Sequence, residues 1–262
     1  MAVIVMASAS GSPGVTTTAL GLALVWPRPV VLVDADPVGG SSLLAGYFHG
    51  TVVDADAMVT LLLAHRDGRL AETLPGVLIG VPGTQVSVLP GPRSHAQAGG
   101  LMELWTPLML QLQALRETGQ DVIVDIGRLG MVGSPRSLIT AADLAVLLVR
   151  SDLPALAAAR QWASDWAQAA DDGTGPGAAG LVVVGPARPY SAHEVARVLP
   201  LPVLGSVTWD PRSAAVLSRG EQPHGRSWGK RDGLVGSHRA LASTLVGQLV
   251  TEPASFSTGS RP

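Results

Sequence analysis

The sequence predicts a doubly wound α/β fold: a mainly parallel sheet with helices on both faces. Three observations predict it. Short runs of β-branched and aliphatic residues alternate with helical stretches, the pattern of successive βαβ units. Those runs are apolar at nearly every position rather than at every second one, as strands covered on both faces must be. A chain of 262 residues, 47% hydrophobic and 15% charged, is long enough to enclose a sizeable core.

The elements follow in order. Ala2–Met6 reads as the first strand, leading through a Gly/Ser loop into a helix from about Thr16 to Val25. Val30–Val33 is the second strand, followed by a loop and a helix around Ala57–His65. Val86–Leu89 precedes a long helical stretch, Ala98–Thr118. Asp121–Asp125 and Leu144–Val149 are the next strands, and Pro154–Ala170 the next helix. Asp171–Gly177 is a Gly/Pro stretch that could pass for a linker, but the pattern continues beyond it, which favours a surface loop. Leu181–Val184 and Val203–Val207 close the strand set, with helices at Arg212–Arg219 and Leu234–Val250. Residues 1–250 are expected to form one domain, and 251–262 a disordered tail.

Composition excludes several classes. With no cysteine there is no disulfide framework, thiolate metal site or cysteine nucleophile. The six histidines are scattered without ligand spacing, which argues against zinc. The longest apolar candidate for a membrane span, Thr16–Val33, is broken by Pro27, Arg28 and Pro29. MAVIVMASASGSPG has no basic start and is not expected to be a signal peptide, so the expected location is cytoplasmic. A formal net charge of -2 gives no global attraction to polyanions. Among 18 basic residues, Lys230 is the single lysine.

Chemistry is expected first at the loop Ala7-Ser8-Ala9-Ser10-Gly11-Ser12-Pro13-Gly14-Val15-Thr16-Thr17-Thr18. Strand, glycine-containing loop and helix N-terminus are the layout of an anion site, because backbone N–H groups converge where the helix dipole favours negative charge. An ordinary Gly/Ser turn is the plainer alternative. The second strand ends in Asp34-Ala35-Asp36-Pro37-Val38-Gly39-Gly40, either a solvated turn or a site at the carboxyl end of a parallel strand.

These pieces together resemble the ParA/MinD branch of P-loop ATPases. Ser10-Gly11-Ser12-Pro13-Gly14-Val15-Thr16-Thr17 aligns with that family's deviant Walker A motif, Lys-Gly-Gly-x-Gly-Lys-[Ser/Thr]-[Ser/Thr]. Gly11, Gly14, Thr16 and Thr17 match. Ser10 stands in place of the signature lysine and Val15 in place of the phosphate-binding lysine. Asp34-Ala35-Asp36 resembles the family's Asp-x-Asp element, and Asp121–Gly127 its Walker B strand. Ala141-Ala142-Asp143 and the late segment Val203–Pro211 fall in the family's order.

The resemblance implies ATP and Mg²⁺ as cofactors and a homodimer with a partner protein. It implies nucleotide binding by Gly11, Ser12, Gly14, Val15, Thr16, Thr17, Asp210 and Pro211. It makes Thr16, Asp34 and Asp125 the metal side, and Asp36 the residue that orients the attacking water. Arg128, after the Walker-B-like strand, could act as a catalytic clamp, as could Arg150; both could equally be surface residues. Arg212, Arg219, Arg226, Lys230, Arg231 and Arg239 make a basic segment that could contact DNA phosphates or simply be solvated. Two functions follow: a positioning or partitioning ATPase with slow hydrolysis, or a non-catalytic scaffold that keeps the fold.

Overall fold

The computed structural model describes residues 1–52, 56–223, 231 and 233–251. Arg226, Lys230 and the expected tail from residue 252 lie outside the described residues.

Strand β1 (Val3–Ser8) is buried at all six positions, and the chain alternates between two apolar layers as it runs. Val3, Val5 and Ala7 face one layer, Ile4 and Met6 the other, because successive side chains of a strand point to opposite faces. β2 (Val30–Asp34), β5 (Asp121–Arg128) and β6 (Leu144–Arg150) behave alike: Ala145, Leu147 and Val149 enter the first layer, and Leu144, Val146 and Leu148 the second. This double burial explains why these strands read as continuous apolar runs.

The sheet has eight strands in the order β3-β4-β2-β5-β1-β6-β7-β8, where β3 is Ile79–Gly80, β4 Val86–Leu89, β7 Ala178–Val184 and β8 Val203–Val207. All neighbours are parallel except β3 with β4. β5 lies between β1 and β2, and β6 lies on the other side of β1, so the winding reverses beside β1. Ligands of open α/β sheets collect at such a switch point, outside the carboxyl ends of the strands.

One face carries α2 (Ala57–Arg66), α5 (Trp105–Ala114), α7 (Leu153–Asp171) and α8 (Ala192–Val198); the other carries α1 (Val15–Val25), α9 (Pro211–Arg219) and α10 (Leu234–Thr251). α10 crosses α1 where Gly21 leaves no side chain: the His238 ring occupies the space a Cβ on Gly21 would take. His238 is fully buried, neither ring nitrogen has a hydrogen-bond partner among the described residues, and burial pushes its pKa down to about 4.

Three sequence expectations need correction. The continuous helix over Ala98–Thr118 is two helices, α4 (His95–Gly100) and α5, followed by a 3₁₀ turn at Leu115–Thr118; α4 ends on the pair Gly99-Gly100, poor helix formers. β7 begins at Ala178 rather than Leu181, pairing with β6 directly after the Asp171–Gly177 stretch. The short edge strand β3, and the short helices α3 (Leu70–Thr73), α6 (Arg136–Thr140) and α8, carry too few residues for periodicity to reveal.

At the amino edge of the sheet, Asp121 is fully buried and accepts hydrogen bonds from Ala2 N at 2.8 Å and Trp26 Nε1 at 2.8 Å, with Arg28 Nε 2.7 Å away. Asp121 ties β5 to β1 and to the end of α1. Asp125, four residues on, belongs to the opposite edge and to other chemistry.

Candidate functional site

The loop between β1 and α1 turns through left-handed backbone at Gly11 (φ 77°), Ser12 (φ 44°) and Gly14 (φ 90°). Gly14 is the residue preceding α1, so the first free N–H groups of that helix open on the loop, where anions are favoured. α1 has no acidic residue in its first turn and no side-chain cap, which leaves those donors unused. Thr16 and Thr17 are half-buried at the rim. Val15, 6% exposed, borders the groove beside the loop and also joins the apolar layer beneath α1 with Ile4, Met6 and Leu20. The loop carries no lysine, and its Val15 is held largely in the core.

Three carboxylates converge on this loop from the carboxyl ends of β2 and β5. Asp125 is fully buried; burial and the nearby Asp34 push its pKa up to about 7, against hydrogen bonds from the Thr16 side chain and Gly127 N. Its Oδ2 is buried without a hydrogen-bond partner among the described residues. Burial likewise raises Asp34 to about 6, opposed by its hydrogen bonds with the Ser41 side chain and Asp36 N. Asp34 packs on Gly91, where a Cβ would come within 2.7 Å of the carboxylate. Asp36 is half-buried and receives Val38 N at 2.9 Å. Its carboxylate rests on Gly127, a residue in left-handed backbone (φ 64°) whose missing side chain makes that approach possible.

Two grooves flank the loop. One, of 430 Å³, is lined by Ser12, Gly14, Thr16, Asp36 and Arg128 among others. The other, of 250 Å³, runs between Pro13 and Gly14 on one side and Trp209, Asp210 and Pro211 on the other. Ser12, Gly14 and Thr17 line both, so a ligand with a charged and an apolar end could span the loop.

The structure thus brings together Gly11, Ser12, Gly14, Thr16, Thr17, Asp34, Asp36, Asp125, Arg128, Asp210 and Pro211 around one loop. Not all are free to bind. Asp210 caps α9, and its two oxygens engage Ser213 N at 3.1 Å and Ser213 Oγ at 2.6 Å. Asp34 is turned toward Ser41 and Gly91, leaving Thr16 and Asp125 as the pair with an open oxygen. Among the described residues no cluster of three or more Asp, Glu or His side chains forms a metal cage. A Mg²⁺ that takes one or two protein oxygens and completes its shell with water and phosphate needs no such cage. The buried, unpartnered Oδ2 of Asp125 beside Thr16 fits that donor set.

Of the basic segment, Arg212, Arg231 and Arg239 are exposed, and Arg219 is tied to Glu221. Sequence reasoning gave no role of their own to Gly91, Ser41 or Trp209, which shape or support the site, although Trp209 fell within the segment Val203–Pro211. Gly91 left a trace as a glycine just past an apolar strand. Among the described residues no helix is long and apolar enough to cross a membrane.

No family model matches this sequence, and no curated protein matches it. Solved structures do match. The septum site-determining protein MinD of Pyrococcus horikoshii OT3, solved with Mg-ADP, is 16% identical over 95% of this chain and 98% of its own, with a TM-score of 0.69. A ParA family ATPase of Chlorobium tepidum TLS is 14% identical over 93% and 98%, with a TM-score of 0.72. Apo McdA of Cyanothece is 20% identical over 92% and 99%, with a TM-score of 0.69. At these identities the likeness is one of fold, and it spans nearly the whole of each chain: the protein has the doubly wound α/β fold of the MinD, ParA and McdA structures.

Proposed function

We propose that this protein is a ParA/MinD-like positioning or partitioning protein that binds ATP with Mg²⁺, dimerises in response, and hydrolyses ATP weakly or slowly. The observation that carries this reading is the convergence of Thr16, Asp125 and Asp36 on a left-handed loop at the helix N-terminus of the switch point. Thr16 and Asp125 would hold the Mg²⁺, which supplies charge neutralisation at the phosphates. The N–H groups of Gly11, Ser12 and Gly14 to Thr17 would cradle the phosphates. Asp36, seated on Gly127, orients water, and the exposed Arg128 faces the same groove. The pocket beside Trp209 and Pro211 takes the base.

The second reading, a pseudo-ATPase that acts as a scaffold or regulatory partner, is favoured by one observation. Val15 is embedded in the core, so the loop has lost the point charge on which phosphoryl transfer relies.

Calorimetric titration of Mg-ATP and Mg-ADP, with phosphate release and light-scattering mass measured on the same samples, separates the two. Binding that Asp125→Ala abolishes, with a mass increase on ATP, supports the ATPase; no binding at millimolar nucleotide supports the scaffold. Nonspecific DNA contact through Arg212, Arg231 and Arg239 is tested by a mobility assay at low and moderate salt, since phosphate contacts weaken as salt rises.

A further inference from the structure

Ser10 and Val15 leave the phosphate loop without a cation of its own, yet a cation reaches it from a neighbouring strand. Arg150 ends β6, whose Leu148 pairs with Ser8 of β1 at the start of the loop. Its Cδ lies 3.6 Å from the point a Cβ on Gly11 would occupy, so the aliphatic stem passes over the loop's first glycine. The guanidinium carbon stands 4.6 Å from the centroid of the Trp209 ring. The indole in turn backs onto Gly185, where a Cβ would approach Trp209 Cβ to 3.2 Å. Arg150 thus lies between Gly11 and Trp209, its stem against the one and its guanidinium over the other.

Arg150 is paired with one carboxylate, and loosely. Nε is 3.4 Å from Asp152 Oδ2, longer than a charge-assisted hydrogen bond, while Asp152 Oδ1 is engaged in capping α7 at Ala155 N. Among the described residues the guanidinium donates no hydrogen bond, and the side chain is 37% exposed. Stacking on an indole face leaves the edge N–H groups of a guanidinium free to meet phosphate oxygens, which a lysine ammonium in the same place could not do bidentately.

We propose that Arg150 is the phosphate-loop cation of this protein, supplied from β6 on the Trp209 platform in place of the lysines replaced by Ser10 and Val15. The assignment rests on the nucleotide reading above. It differs from a role for Arg128, which lines the groove on the Asp36 side of the loop. Trp209 also walls the 250 Å³ pocket, so one side chain would position the cation and border the base.

The test is calorimetric titration of Mg-ATP and Mg-ADP into the full chain and into Arg150→Ala, Arg150→Gln and Arg150→Lys, with thermal melts alongside. Removing the charge is expected to weaken both nucleotides about tenfold or more in the Ala and Gln variants, with Lys recovering part of the loss. The melting temperatures should stay close to that of the unaltered protein. Affinity within about twofold in Ala and Gln, while the unaltered protein binds, overturns this assignment alone. Failure of the unaltered protein to bind either nucleotide overturns the nucleotide reading and the assignment with it.

Discussion

Asp34 and Asp125 are direct partners across the parallel ladder of β2 and β5, both buried, with no basic side chain among the causes that set their pKa values. Burial raises the pKa of both; the charge of Asp34 raises Asp125 further, and that of Asp36 raises both. A structural reason for such a pair is hard to find, because apolar residues there would fold better. The arrangement suits a site that receives a cation or a polyanion–cation pair.

That strain predicts a gain of stability on removing the charge. The folded protein holds protons on Asp125 up to about pH 7 and on Asp34 up to about pH 6, whereas the unfolded chain releases them near 3.8. Their contribution to stability therefore falls as pH rises from about 4 to about 7. Asp125→Asn should melt about 3 °C or more above the unaltered protein at pH 8 in EDTA, on the scale of ~1 kcal/mol per 2–4 °C. The same variant should lose Mg-nucleotide binding. A lower melting temperature at pH 8 would count against a strained carboxylate pair.

His238 predicts an acid limb of opposite sign. Its pKa is pushed down to about 4 by burial, while in the unfolded chain it protonates near 6.5. The unfolded state therefore binds more protons between those values, and stability drops as pH falls from about 6.5 to about 4. Tyr47, His49, Glu221 and Arg239 border the same cavity as His238 and share its surroundings. His238→Met, which keeps bulk over Gly21 without a titrating ring, should flatten that limb in urea melts run from pH 7.5 to 4.5. Parallel curves for the two proteins would refute the assignment.

Asp121 predicts a loss that spares the site. It anchors Ala2 N, Trp26 Nε1 and Arg28 at the amino edge, across the sheet from the loop. Asp121→Ala strands these partners in a buried position and should cost about 3–5 kcal/mol in urea unfolding. Ligand affinity, measured where the variant is still folded, should be unaltered.

Val15 predicts a trade. Val15→Lys restores the charge the family carries at that position but removes a buried apolar side chain, at a cost of about 1.5–3 kcal/mol. Mg-ATP affinity by calorimetry should rise while the melting temperature falls. A rise in neither affinity nor phosphate release would mean that the loop has been reshaped around Val15.

Much of this architecture was legible in the chain. β1, β2, β4, β5 and β6 read as apolar runs because each is covered on both faces, and α7 read nearly to its ends because Asp152 and Pro154 mark its start. The break between α4 and α5 was not legible, since the apolar spacing continues across Gly99-Gly100. Nor were the short elements β3 and α3, which are made by their neighbours. At the site, Asp34, Asp36 and Asp125 stood out as carboxylates at strand ends. Their inequality did not: Asp34 is bound by Ser41 and packed on Gly91, whereas Asp125 keeps an open oxygen.

The amino-acid sequence by itself determined the fold class, the glycine loop, the strand-end carboxylates and the absence of lysine from that loop, because these depend on composition and local spacing. Tertiary structure alone decided that Val15 serves the core, that Asp210 is spent on a helix cap, and that Arg150 lies between Gly11 and Trp209. These relations join residues up to about 140 positions apart, such as Gly11 and Arg150. Only the crossing of parallel strands at the switch point brings such residues together.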